Sequence, residues 1–260
     1  MSRIASSRHA HLAGARGQWV RALQDYFYES SKPLTSLIFL AIPLLLYELG
    51  TGWLLTDTEE KTEIRVLAFN YLRGFLCFFG ATAHYLPALA VVGILLAWHM
   101  ARRDPWRVWP STIITMACES TLLAIPLLVL SVALARYLPL AATDGVAARG
   151  VVLAFGAGIY EELIFRLAGL TLLNIVLVDL LRVKRPLAMG LMILVSAVAF
   201  SGYHYLSPAA PSVRPAAFLF RAVAGGYFAI LFIYRGFGVT SGCHIVYDSY
   251  CFVLRSLLGL

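Results

Sequence analysis

Charge is what this chain has least of: 13% of its 260 residues are Asp, Glu, Lys or Arg, against 60% hydrophobic. A soluble domain of that length needs far more charge to cover its surface, which excludes a water-soluble globular fold. So much apolar surface requires hydrocarbon as solvent, and the chain reads as a polytopic membrane protein. Cysteine is scarce as well. Cys77, Cys118, Cys243 and Cys251 all fall in apolar segments with no CxxC spacing, the pattern of small buried side chains rather than of a disulfide framework. The opening "MSRIASSRHAHLAGARGQWV" lacks the apolar core of a signal peptide and reads as a cytoplasmic tail in which His9 and His11 are solvated. No basic patch is interleaved with exposed aromatics, so no nucleic-acid partner is expected. Internal repeats and interdomain linkers are also missing.

What charge there is carries information. The formal net charge is +7, and the basic residues gather beside apolar runs: Arg3, Arg8, Arg16, Arg21 and Lys32, then Arg102, Arg103 and Arg107, then Arg182, Lys184 and Arg185. Such clusters mark cytoplasmic loops and anionic headgroups. Apolar runs near 34–56, 82–100, 111–136, 148–166, 186–204, 216–234 and 240–259 are long enough to span, with shorter ones at 64–80 and 167–181. The expected fold is an all-α transmembrane bundle of about seven or eight helices. Pro43, Pro87 and Pro126 fall inside apolar runs and are expected to kink them. The chain divides into a basic tail (1–33), N-terminal membrane helices (34–144) and a C-terminal helical core (145–260), all in one membrane domain. Acidic "TDTEEKTEI" (56–64) and "YLPLAATDGVAARG" lie on the external face by loop charge. Between 65 and 100 an odd number of crossings then fits, one full span plus a surface or re-entrant piece that contains Arg73.

Three polar clusters interrupt the C-terminal runs. In "FGAGIYEELIFR" (155–166), Glu162 and Arg166 are i,i+4 neighbours and neutralise one another, whereas Glu161 points about 100° away and is left without that partner. A salt bridge explains the pair. It does not explain Glu161, which is free to act as a general base. In "FSGYHY" (200–205), Phe200 and His204 share a helical face; a lone histidine of this kind is more often structural than catalytic. In "CHIVYDSY" (243–250), His244 and Asp248 share another, and a carboxylate within an apolar run is expensive to insert.

The ordered set EExxxR, FxxxH and HxxxD resembles the CPBP family of membrane proteases, also called the CAAX protease and bacteriocin-processing or Abi family, over about residues 145–260. The resemblance implies a glutamic-type intramembrane endopeptidase. Glu161, assisted by His204, activates water; His244 and Asp248 face the oxyanion; Glu162 and Arg166 form a structural or substrate-positioning pair. Many members carry asparagine where this chain has Asp248, and a carboxylate there donates a hydrogen bond only when it holds a proton. The implied substrate is a membrane-associated protein or peptide, and the setting a bacterial cytoplasmic membrane with the N-terminus inside. No cofactor is expected.

Glu161, His204, His244 and Asp248 are also plausible zinc ligands, so a zinc metalloprotease on the same residues is the alternative, although HExxH is absent. A transporter or proton-relay protein and a non-catalytic scaffold or immunity protein are alternatives of another class. Glu48, Glu119, Arg73, His84 and Arg221 join no motif and are expected to snorkel or to pair between helices. His204 and His244 bracket a full span and would lie on opposite faces. Bringing them together calls for re-entrant loops at 235–242 and 205–215 around a polar cavity.

Overall fold

The computed structural model describes residues 18, 20–56, 63–134, 147–207 and 212–258. Most of the N-terminal tail, His9 and His11 included, and most of the two expected external segments lie outside the described residues. Among those described, every element is helical apart from one isolated bridge between Thr56 and Glu63. Helix α1 covers residues 20–30. It is followed by α2 (Pro33–Leu54), α3 (Leu67–Phe78), α4 (Leu86–Arg102), α5 (Pro110–Ala133), α6 (Ala147–Leu180), α7 (Arg185–Tyr203) and α8 (Pro215–Leu258). Five of these are long and apolar enough to cross a membrane, α2, α5, α6, α7 and α8, while α3 and α4 are shorter apolar helices. The protein is a polytopic helical bundle.

Proline sets several helix starts. It occupies the first or second position of α2, α4, α5 and α7, where the missing N–H has no partner to lose. Pro87 therefore opens α4 instead of kinking a run, while Pro43 and Pro126 do lie inside α2 and α5. Helix α3 does not cross the bundle. It follows Glu63 and Arg65, and the turn after it brings His84 back to within 3.1 Å of the Glu63 carboxylate. Helix α4 then returns to the face where α2 began, and Arg102 donates to the Ser31 carbonyl there at 3.2 Å.

Helix α8 breaks at one residue. Gly236 has φ 77° and ψ −179°, a region essentially closed to residues with a Cβ. The two arms fold against each other there. Phe228 and His244, placed symmetrically about the break, stack with ring centroids 4.5 Å apart, where an unbroken helix would hold them about 24 Å apart. Arg235 secures the corner through two bonds to Glu119, at 2.5 and 2.6 Å, and one to Ser30 at 3.1 Å. The Gly238 amide donates to Ser36. The loop expected at 235–242 is thus a helical corner, because one glycine suffices to reverse the chain. His244 sits two turns in from that corner, level with the far end of α7, where His204 follows. No crossing of the membrane separates them.

Helix α6 lies against the second arm at backbone distance. A Cβ on Gly158 would meet the Ile245 amide nitrogen at 2.8 Å and the Ser241 carbonyl at 2.9 Å, and one on Gly150 would enter the Phe252 ring. With no hydrophobic drive between helices in lipid, such small residues permit the close van der Waals contact that holds them together. That contact carries the next turn of α6 up to His244.

Candidate active site

Glu161 and Glu162 end the regular part of α6 (Ala147–Glu162), just before a wide π-helical turn, Leu163–Ala168. Such turns are rare and frequent at functional sites. The adjacent carboxylates face different neighbours. Glu162 Oε2 lies 3.1 Å from Arg166 Nε, and Glu162 Oε1 lies 2.8 Å from His244 Nδ1. Neither Glu162 nor Arg166 is exposed at all. Arg166 also donates to the Gly225 carbonyl at 3.1 Å, and its guanidinium lies 4.4 Å from the Phe200 ring centre and 5.5 Å from that of Phe228. Ions buried this deeply need a partner of opposite charge; the two are in ionic contact, although Glu162 Oε2, Arg166 Nε and Arg166 Nη1 make no hydrogen bond among the described residues.

Glu161 is held differently. Tyr203 donates to its Oε1 at 3.0 Å. Its Oε2 stands 3.8 Å from His244 Nε2, beyond hydrogen-bond range. The same nitrogen is 3.4 Å from Asp248 Oδ2. His244 is buried, stacked on Phe228 and edge-on to Phe200 at 5.9 Å, so its ring has a single orientation. Both of its nitrogens look onto carboxylates.

His204 completes the group. Its Nδ1 is 2.8 Å from the Phe200 carbonyl, which only accepts, so Nδ1 carries hydrogen and the neutral ring keeps its lone pair on Nε2. Glu161, Tyr203, His204 and Asp248 line one pocket of about 310 Å³, together with Arg65 and Ser207. Residues up to 87 positions apart in the C-terminal core, Glu161 and Asp248, thus share one hollow, and Phe200 beside it touches Phe165, His204, Phe228 and His244. Among the described residues no three His, Cys, Asp or Glu side chains are placed to hold a metal ion. Zinc needs ligand atoms at about 2.0–2.3 Å around one centre; the Nδ1 bonds of His244 to Glu162 and of His204 to a carbonyl leave the Nε2 atom of each as the nitrogen such a centre would use.

A family model described as Rce1-like, type II CAAX prenyl endopeptidase, matches residues 143–250. Over these residues, fewer than half of the chain, the protein is similar to that family. The match takes in Glu161, Glu162, Arg166, His204, His244 and Asp248, and agrees with the CPBP resemblance read from the three motifs. No curated protein and no solved structure matches the chain. The match, together with the apolar helices that run through it, supports an integral membrane endopeptidase.

Two features of the site are not carried by those motifs. One is Tyr203, which lies within the FxxxH stretch but between its two named positions. Only the fold shows that it meets Glu161. The other is a roof supplied from outside the Rce1-like domain. Arg65, which lines the pocket, bonds to Glu48 at 2.8 Å, to Glu63 at 3.0 Å and to His84 at 2.9 Å, and Tyr160 donates to the other oxygen of Glu48 at 3.0 Å. Burial works against the Arg65 charge, but Glu48 and Glu63 outweigh it and hold the guanidinium more firmly protonated than an ordinary arginine. Paired acids and bases so far apart in sequence offer no periodicity to detect. Of the residues that join no motif, Glu48, Glu119 and His84 pair between segments, and Arg221 donates to the Tyr205 hydroxyl at 2.9 Å.

Proposed function

We propose that the chain hydrolyses a peptide bond of a membrane-associated protein, with Glu161 as the base that activates water. The observation that carries this reading is the arrangement of Glu161: a buried carboxylate with no cation in bonding range, anchored through one oxygen by Tyr203, and lining a pocket with His204 and Asp248. Glu161 Oε2 takes the proton of a water in the pocket, with the Nε2 lone pair of His204 as the second acceptor. The hydroxyl adds to the scissile carbonyl carbon. His244, with Nδ1–H on Glu162, turns Nε2–H toward the oxyanion as it forms, and Asp248 keeps that nitrogen in place. Collapse breaks the C–N bond, and the amine leaves with the proton Glu161 took. Glu162 and Arg166 position His244 and take no part in proton transfer.

No step in this scheme uses a metal, and activity is expected to survive chelators. Loss of activity on chelation, restored by zinc, would move the chemistry to the zinc alternative. The pocket lies at the end of the bundle where residues 64–67 sit, away from Arg102 and the corner. With the basic flanks in the cytoplasm of a bacterial cell, the scissile bond is presented toward the opposite face. The deciding experiment compares the protein termini in membranes that carry the wild-type chain or Glu161→Gln. Proteins cut in the first and intact in the second are the substrates. Identical termini in both would remove Glu161 from the chemistry.

A further inference from the structure

We infer that Tyr203 is a positioning residue for the reaction, and that α3, which lies outside the Rce1-like domain, sets the position of Tyr203. The inference rests on the reading of Glu161 as the base. A carboxylate has two oxygens that a base can use. Here the phenol hydroxyl occupies Oε1 at 3.0 Å, which leaves Oε2 as the oxygen on the His244 side. A buried carboxyl without this bond is free to rotate about its last torsion, a broad two-fold well that packing alone does not fix. The single bond from Tyr203 therefore chooses which oxygen meets water.

Tyr203 is itself held from two sides. Phe165, on the π-helical turn of α6, meets its ring at 5.0 Å, and the His204 ring lies at 4.9 Å. From α3, the Tyr71 ring stands 6.2 Å away and the Ala68 amide lies beside the phenol oxygen. Ala68 and Phe69 are the buried residues of α3, so this helix is anchored through the turn that carries the contact. Tyr203 is 6% exposed, and its ring forms part of the pocket wall. A tyrosine needed only for packing would have no use for a hydroxyl aimed at an otherwise unpaired carboxylate.

The test uses the full chain in lipid nanodiscs and a substrate protein identified from the Glu161→Gln comparison. Tyr203→Phe keeps the ring and removes the hydroxyl. It is expected to lower kcat about 10–100-fold with KM unchanged, since the lost contact acts only on the reacting group. Tyr71→Ala is expected to give a smaller loss that vanishes when Tyr203 is already Phe, the signature of residues acting through one contact. A second readout needs no substrate: labelling of Glu161 by dicyclohexylcarbodiimide, followed by mass spectrometry, is expected to quicken several-fold in Tyr203→Phe as the carboxyl is released. Full kcat and unchanged labelling in Tyr203→Phe, with Glu161→Gln inactive, would overturn this inference and leave the base in place. Wild-type turnover in Glu161→Gln would overturn the reading of the base itself.

Discussion

The two parts of this membrane bundle treat charge differently. In the part before residue 143, the buried acids are matched by cations, although His99 is buried with neither ring nitrogen hydrogen-bonded among the described residues. Glu48 meets Arg65, Glu63 meets both Arg65 and His84, and Asp104 meets Arg102, while Glu119 reaches across to Arg235 of the Rce1-like domain. In the Rce1-like domain the balance is deliberately short: Glu161, Glu162 and Asp248 surround His244, and the one guanidinium in that group, Arg166, is committed to Glu162. Matched charges serve structure, because each removes the cost of burying the other. A carboxylate left with a hydroxyl and a loose imidazole contact does nothing for stability that an apolar side chain would not do better. Its retention points to chemistry.

That contrast can be broken by substitution. Glu161→Gln should abolish cleavage, lowering the rate by at least about 1,000-fold, the scale of losing a general base together with the electrostatics around it. The thermal midpoint in detergent should stay the same or rise. A large loss of stability would instead make Glu161 a structural residue like Glu48. Arg166→Met should do the opposite to the fold. It leaves Glu162 buried without its guanidinium and with His244 as its one remaining partner, with an expected cost of about 3–5 kcal/mol in unfolding free energy and loss of activity as a consequence. Unchanged stability there would mean that the pair is not the internal strut its geometry suggests.

Smaller effects sharpen the same comparison. Gly158→Val forces α6 away from the second arm of α8, since a Cβ there meets backbone atoms at 2.8 and 2.9 Å. An overpacking cost of about 1–3 kcal/mol is expected, together with a fall in kcat as Glu161 withdraws from His244. Gly236→Ala carries only the backbone strain of its positive φ, about 1–3 kcal/mol, because the space around it is open to contact at 3.7 Å from Ser31. The smallest effect on turnover is expected of Glu48→Gln, which should cost about 1–3 kcal/mol of stability while kcat stays within about threefold of wild type, about 0.65 kcal/mol. A collapse of kcat in Glu48→Gln would show the roof to be part of the chemistry and erase the division between the two parts.

The membrane setting, the helical class and the three polar clusters were legible in the linear sequence. Hydropathy over a window and i,i+4 spacing are local quantities, and lipid punishes every unnecessary charge, so the charges that remain stand out. The i,i+4 relation of Glu162 to Arg166 was readable for the same reason. The second partner of Glu162 was not: His244 is far along the chain, and its approach depends on a corner at Gly236 that a run of glycines only hints at. The same corner removes the apparent conflict of faces between His204 and His244. Tyr203 stood in plain view within "FSGYHY", yet its meaning depends on how far α7 rotates relative to α6, which no spacing within α7 encodes.

Sequence by itself determined which residues must be inside the membrane and which of them are too costly to be accidental, because insertion cost is paid residue by residue. Tertiary structure alone decided which carboxylate is matched and which is left short, because pairing depends on helix contacts made through Gly158 and Gly236 rather than on any distance along the chain.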